Sequence, residues 1–169
     1  RGKWKYKERP VLLNSWEANY FDITEEKLIN LAKAGKNIGI ELFVMDDGWF
    51  GKRNDDTSSL GDWYVNKDKL PNGLAHLVDE INKIGLDFGI WIEPEMINKN
   101  SELYKKHPNW VLENPNAQHS EGRNQCMLDL TNNEVVDYMV KEIKNVVDYL
   151  RSISPVWDEL QRGEQKHVI

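Results

Sequence analysis

The sequence predicts an α/β protein built around a parallel sheet, and two observations carry that prediction. Short apolar runs alternate along the chain with segments of helical periodicity, which is the pattern of strands joined by helical crossovers. Side chains able to do chemistry also recur where each apolar run ends: Trp16, then Asp46 and Asp47, then Trp91, Glu93 and Glu95, then Asp129, with Arg123 just ahead of its run. Closed β/α barrels and open doubly wound sheets both bind ligands at the C-terminal ends of their strands, so this placement leaves both architectures open. No run is followed by a Gly-rich phosphate turn, which counts against a dinucleotide-binding sheet.

The first strand is expected at Val11-Leu12-Leu13, ahead of Asn14-Ser15-Trp16. Thr24 then suits an N-cap, Glu25 and Glu26 suit the positive end of a helix, and Leu28, Leu31 and Ala32 keep helical spacing until Gly35 ends it. The second strand, Ile40 to Met45, stops at Asp46-Asp47-Gly48-Trp49 and is followed by a polar loop from Gly51 to Asn66. An amphipathic helix from Leu74 to Ile84 leads to a third strand, Leu86 to Ile92. A short helix over Ser101 to Lys106 is broken by His107-Pro108, and Val111-Leu112 is a further apolar element. Cys126 to Leu130 reads as a fourth strand, and Asn133 to Leu150 as a long helix with Val135, Val136, Met139, Val140, Ile143, Val146, Val147 and Leu150 on its apolar positions.

Composition narrows the function classes. With 40% apolar and 30% charged residues the chain can build a core, and a net charge of −6 argues against a nucleic-acid partner. No stretch reaches the roughly 18 apolar residues of a membrane span, and the basic N-terminus lacks the apolar core of a secretory signal. The single cysteine, Cys126, forms no internal disulfide framework; the expected location is cytoplasmic. Seven Trp and six Tyr fit either a large core or a site that stacks planar or sugar ligands. At 169 residues the chain is shorter than a complete eight-fold barrel, which takes about 250.

Asp46-Asp47-Gly48 suits three jobs: binding sugar hydroxyls, binding metal, or acid–base work; a solvated turn capping the strand is the structural alternative. Metal is disfavoured because His76, His107, His119 and His167 are scattered, and no metal or other cofactor is expected. Glu93 and Glu95, two apart across Pro94, would point the same way on extended backbone. Arg123 suits a carboxylate or sugar oxygens, or a surface ion pair. Asp55, Asp56 and Asp62 fit a loop-ordering cluster and not a calcium loop.

Seven motifs in order then resemble one family. They are Trp16-Glu17-Ala18-Asn19-Tyr20-Phe21; Phe43-Val44-Met45-Asp46-Asp47-Gly48-Trp49-Phe50-Gly51; Leu60-Gly61-Asp62-Trp63; Phe88-Gly89-Ile90-Trp91-Ile92-Glu93-Pro94-Glu95-Met96; His107-Pro108-Asn109-Trp110-Val111-Leu112; Gly122-Arg123-Asn124-Gln125; and Leu128-Asp129-Leu130-Thr131. Together, from about Arg9 to about Leu150, they resemble the catalytic barrel of α-galactosidases of glycoside hydrolase family 36. The resemblance implies a (β/α)8 TIM barrel of which this chain is an N-terminal part, about the first half, without the family's N-terminal β-sandwich and C-terminal domains. It implies a retaining glycosidase cleaving terminal α-galactosyl residues of oligosaccharides, with two carboxylates about 5–5.5 Å apart. By motif, Asp46 and Asp47 would hold the O4 and O6 hydroxyls of galactose. Trp16 and Trp91 would wall the pocket, and Arg123 would contact the sugar or position the nucleophile. The expected partner is an α-galactoside oligosaccharide, with a possible homo-oligomer as the full-length protein.

The family's nucleophile is the Asp of a Lys-Trp-Asp strand, and here the sequence departs from the pattern. In one register Val156-Trp157-Asp158 is that motif, which makes Asp158 the catalytic candidate, with Val in place of Lys and Pro155 at a position that should be central in the sheet. In the other, Arg151-Ser152-Ile153-Ser154 already follows the motif and the nucleophile strand is missing. In both, the acid/base lies beyond Ile169. The alternatives to an α-galactosidase are a catalytically inactive carbohydrate-binding fragment, a related galactosyl transferase, and an α-N-acetylgalactosaminidase.

Overall fold

The computed structural model describes residues 6, 8–112 and 124–151. In chain order it contains β1 (Leu12–Asn14), α1 (Trp16–Asn19), α2 (Glu25–Asn37), β2 (Leu42–Met45), α3 (Gly73–Lys83), β3 (Asp87–Ile90), β4 (Met96–Ile97), α4 (Glu102–Lys106), a 3-10 turn over Pro108–Trp110, β5 (Cys126–Met127) and α5 (Asn133–Arg151). Strands β1, β2 and β3 lie side by side in that order and run parallel. Helices α2 and α3 connect them and pack on the sheet and on each other, and α5 packs against α3.

The sequence accounts for these elements locally. Thr24 Oγ1 accepts the Lys27 amide at 3.2 Å, and Glu25 and Glu26 lie in the first turn of α2, where the helix dipole favours negative charge. Leu28, Ala32 and Gly35 form the buried stripe of α2. Gly35 does not end the helix, which continues to Asn37; it is instead the place where α2 lies closest to β1, since a Cβ there would sit 2.7 Å from Leu13 Cδ2. In β2, buried Phe43 and Met45 alternate with half-buried Leu42 and Val44, so the sheet has a fully covered face and a partly open one. Leu74, Leu77, Val78 and Ile81 recur at helical spacing on the buried face of α3.

Two further expectations are corrected. Cys126–Met127 is not a fourth strand of the parallel sheet: β5 pairs antiparallel with β4, joining Met96 to Met127 and Ile97 to Cys126, and Val111 bridges Leu128 beyond it. Burial explains this, because Cys126 and Leu128 are buried while Met127 is 51% exposed, so this run has one covered face; a central parallel strand is covered on both. Glu93 and Glu95 are likewise not on extended backbone, since the chain turns there and the Met96 amide donates to the Glu93 carbonyl. The loop after β2 also has a core of its own. Trp49, Phe50, Leu60 and Trp63 are buried within it, and the Gly51 amide bonds the Tyr64 carbonyl while that of Asn66 bonds Trp49, tying its two arms together.

Candidate functional site at the strand ends

The register of the sheet gathers the candidate residues. Asn14 pairs with Val44, and Val44 with Gly89. Two residues further on, the β2–β3 register sets Asp46 and Trp91 side by side at the C-terminal edge, on the side that Val44 faces, and Trp16 opens α1 just past the end of β1. The ladder continues to that edge, since the Ser15 amide donates to the Val44 carbonyl and the Trp91 amide to the Met45 carbonyl.

Asp46 is half-buried and held on three sides. Asn14 Nδ2 donates to its Oδ2 at 2.5 Å, the Asp47 amide donates to its Oδ1 at 2.8 Å, and its own amide donates to Ser15 Oγ at 3.0 Å. Asn14 also accepts the Trp16 amide through Oδ1, so one side chain fixes a carboxylate and the start of α1 together. Trp16 meets Tyr20 and Phe21 edge to face, with ring centres 5.2 and 5.0 Å away. Trp91 accepts the Trp49 indole N–H through its carbonyl and lies within 6.4 Å of Phe50 and Trp63, again measured between ring centres. The sheet thus presents an ionisable oxygen acceptor between two half-buried indoles, the chemistry that suits a ligand with hydroxyls and apolar C–H faces.

Asp47 differs from its neighbour. It is 3% exposed and forked by Arg53, whose Nε donates to Oδ1 at 2.9 Å and whose second terminal nitrogen donates to Oδ2 at 2.8 Å. Arg53 is fully buried, with its guanidinium 5.3 Å from the Phe21 ring centre and 5.8 Å from that of Phe50. Its remaining nitrogen donates to the Ser58 carbonyl and to Asn98 Oδ1, both at 2.9 Å. Asn98, also fully buried, accepts the Leu60 amide and donates to the carbonyls of Asp56 and Asn124. Sequence reasoning missed Arg53, Asn98 and Asn14. The available signal was Arg53's position inside a loop whose flanking residues are Trp49, Phe50, Leu60 and Trp63.

Other expected residues have structural placements. Gln125 Nε2 donates to Glu93 Oε2 at 3.3 Å, whereas Glu95 is exposed. Asp62 caps α4 by accepting the amides of Glu102 and Leu103, and burial raises its carboxyl above the usual range despite those bonds. Asp55 closes a turn by accepting from the Thr57 amide and hydroxyl. Lys69 Nζ donates to the carbonyls of Phe21, Gly48 and Arg53 at 2.6–2.9 Å, and burial lowers its ammonium pKa. Gly48 itself has a φ of +102°, a conformation that glycine tolerates and that turns the chain directly after the two aspartates. Arg123 and Asp158 lie outside the described residues. Among the described residues no group of three or more His, Cys, Asp or Glu is suited to a metal ion, and no helix is long and apolar enough to cross a membrane.

A parallel sheet backed by its connecting helices, with carboxylate and indole groups gathered where the strands end, fits a β/α barrel and an open doubly wound sheet alike. Comparison with known proteins specifies which one. The family model for melibiase matches residues 1–164, and the chain belongs to that family. It is 53% identical over 158 residues to the α-galactosidase AgaA of Geobacillus stearothermophilus, covering 94% of this chain and 22% of the relative. The crystal structure of the family 36 α-galactosidase AgaB of the same organism superposes with a TM-score of 0.83 at 57% identity, over 88% of this chain and 20% of that one. A variant of AgaA solved in complex with stachyose gives the same TM-score at 55% identity, over 88% of this chain and 21% of that one. The chain is thus an N-terminal part of a TIM barrel and spans about a fifth of the length of these relatives.

Proposed function

We propose that this chain supplies the galactose-binding part of the active site of a retaining α-galactosidase acting on oligosaccharides. The observation that carries this reading is the strand order, which sets Asp46 at the end of β2 between the ends of β1 and β3, where Trp16 and Trp91 lie, in a chain of the melibiase family. In this reading Asp46 and Asp47 accept the galactose O4 and O6 hydroxyls through charge-assisted hydrogen bonds, and the indoles cover the apolar face of the ring. A site whose acceptors are fixed in advance discriminates strongly against a sugar that lacks the matching hydroxyl. Arg123 contacts the sugar or positions the nucleophile, and Asp158 is the nucleophile in the register that reads Val156-Trp157-Asp158 as the motif. The flanking domains of the family, a cytoplasmic location and a homo-oligomeric full-length protein belong to the same proposal.

The test is hydrolysis of p-nitrophenyl α-D-galactoside by the full-length protein, with the first-formed anomer identified by proton NMR. Turnover with α-galactose released first is the expected result; β-galactose first would overturn the retaining mechanism. Galactose binding without turnover would favour a carbohydrate-binding protein without catalysis. Loss of turnover in Asp158→Asn, with galactose binding kept, identifies the nucleophile, and unchanged turnover would remove Asp158 from that role.

A further inference from the structure

Asp47 is held by a device that Asp46 lacks. A carboxylate offers about four acceptor positions, and the Arg53 fork fills one on each oxygen of Asp47 in a single plane. Side-chain exposure of Asp47 is only 4%, so the fork holds that plane with little room to turn. Arg53 has little freedom of its own. Four of its five N–H groups are spent on Asp47, the Ser58 carbonyl and Asn98, and its guanidinium carbon lies 5.3 and 5.8 Å from the ring centres of Phe21 and Phe50. Asn98 passes the constraint on, since its amide donates to the carbonyl of Asn124, the residue that follows Arg123. The carbonyls of Gly48 and Arg53 are joined through Lys69.

We infer that Arg53 is a positioning residue for sugar recognition: it sets the plane of the Asp47 carboxylate, and thereby which ring hydroxyl the site reads, while Asn98 ties Arg53 to the backbone of Asn124. The inference rests on the reading of Asp47 as a hydroxyl acceptor. A lysine at position 53 would keep the positive charge but offers a point donor in place of a planar fork, so it neutralises Asp47 without orienting it.

The test measures affinity of the full-length protein for methyl α-D-galactoside and its 4-deoxy and 6-deoxy analogues by titration calorimetry, with a thermal melt of each variant. In the unaltered protein, removal of the hydroxyl read by Asp47 should weaken binding by ~10- to 100-fold, the usual worth of a hydrogen bond to a charged group. In Arg53→Lys the parent galactoside should weaken by a similar factor while that deoxy analogue keeps its affinity, so discrimination at the one hydroxyl collapses and the other is kept. If Arg53→Lys fails to melt cooperatively, Asn98→Ala takes its place. It leaves the fork intact but unanchored, and is expected to reduce the same discrimination by a few-fold. Undiminished discrimination in a folded variant, or an equal loss for all three sugars, would overturn the positioning role and leave the proposed site standing. Absence of any hydroxyl discrimination in the unaltered protein would instead overturn the galactose-binding reading, and this inference with it.

Discussion

The mouth of the parallel sheet and the antiparallel ribbon of β4 and β5 handle polar groups in opposite ways. At the mouth, Asp46 is held by Asn14, by Ser15 and by the following amide, yet stays half-exposed, and Trp16 and Trp91 flank it half-buried. On the ribbon side, Asn98 and Gln125 are buried and turned inward, Asn98 onto Arg53 and the backbone and Gln125 onto Glu93. The mouth presents its polar groups; the ribbon uses its own to fix the frame. Asp46 and Asp47 stand on either side of that divide although they are adjacent in sequence. A pair of carboxylates at a strand end therefore need not be two equivalent ligand groups.

The divide breaks most visibly if the two aspartates are truncated separately. Asp47→Ala leaves the Arg53 charge buried without a counter-ion and should cost about 3–5 kcal/mol. Asp46→Ala leaves Asn14 and the Asp47 amide near solvent, and should cost about 1 kcal/mol while abolishing galactoside binding. Denaturant unfolding of the full-length protein reads both, and equal losses would erase the distinction. Next in size is Ile97→Ala in β4, a fully buried side chain beside the Asn98 anchor, expected to cost about 3 kcal/mol by the same measurement. Thr24→Ala removes the cap of α2 and should cost about 1 kcal/mol with galactoside affinity unchanged.

What could be read in the sequence follows this same divide. The parallel strands and their helices are local: Thr24, the spacing of Leu28 and Ala32, and the apolar run to Met45 each state their element within a few residues. Asp46 was legible because it directly ends such a run. The ribbon was not, because two residues per strand carry no period, and Ile97 pairs with Cys126, 29 positions further along the chain. Arg53 was hidden for a related reason. Its loop has the composition of a solvated segment, and only the folding of Trp49, Phe50 and Trp63 inward makes a buried cation necessary there. Charge in an aromatic-rich loop is a signal, but it does not name the partner.

The smallest effect tests the inward-facing side through pH. Asp62 is buried and accepts two amides of α4, yet desolvation outweighs those bonds and pushes its carboxyl above the usual carboxylate range in the folded protein. A carboxyl raised in the native state holds its proton more firmly folded than unfolded. Its contribution to stability is then fully present below the unfolded value and is lost as pH rises through the folded one. Asp62→Asn keeps the shape and one acceptor oxygen but does not titrate. The melting temperature of the unaltered protein minus that of the variant should therefore be largest in acid, and should fall as pH rises from about 3 towards neutrality. A difference that grows with pH would mean that the two amides of Glu102 and Leu103 stabilise the ionised form more than burial penalises it. Asp62 would then act as a helix cap that gains from its charge, and the inward side of the molecule would be holding its carboxylates by the same principle as the mouth.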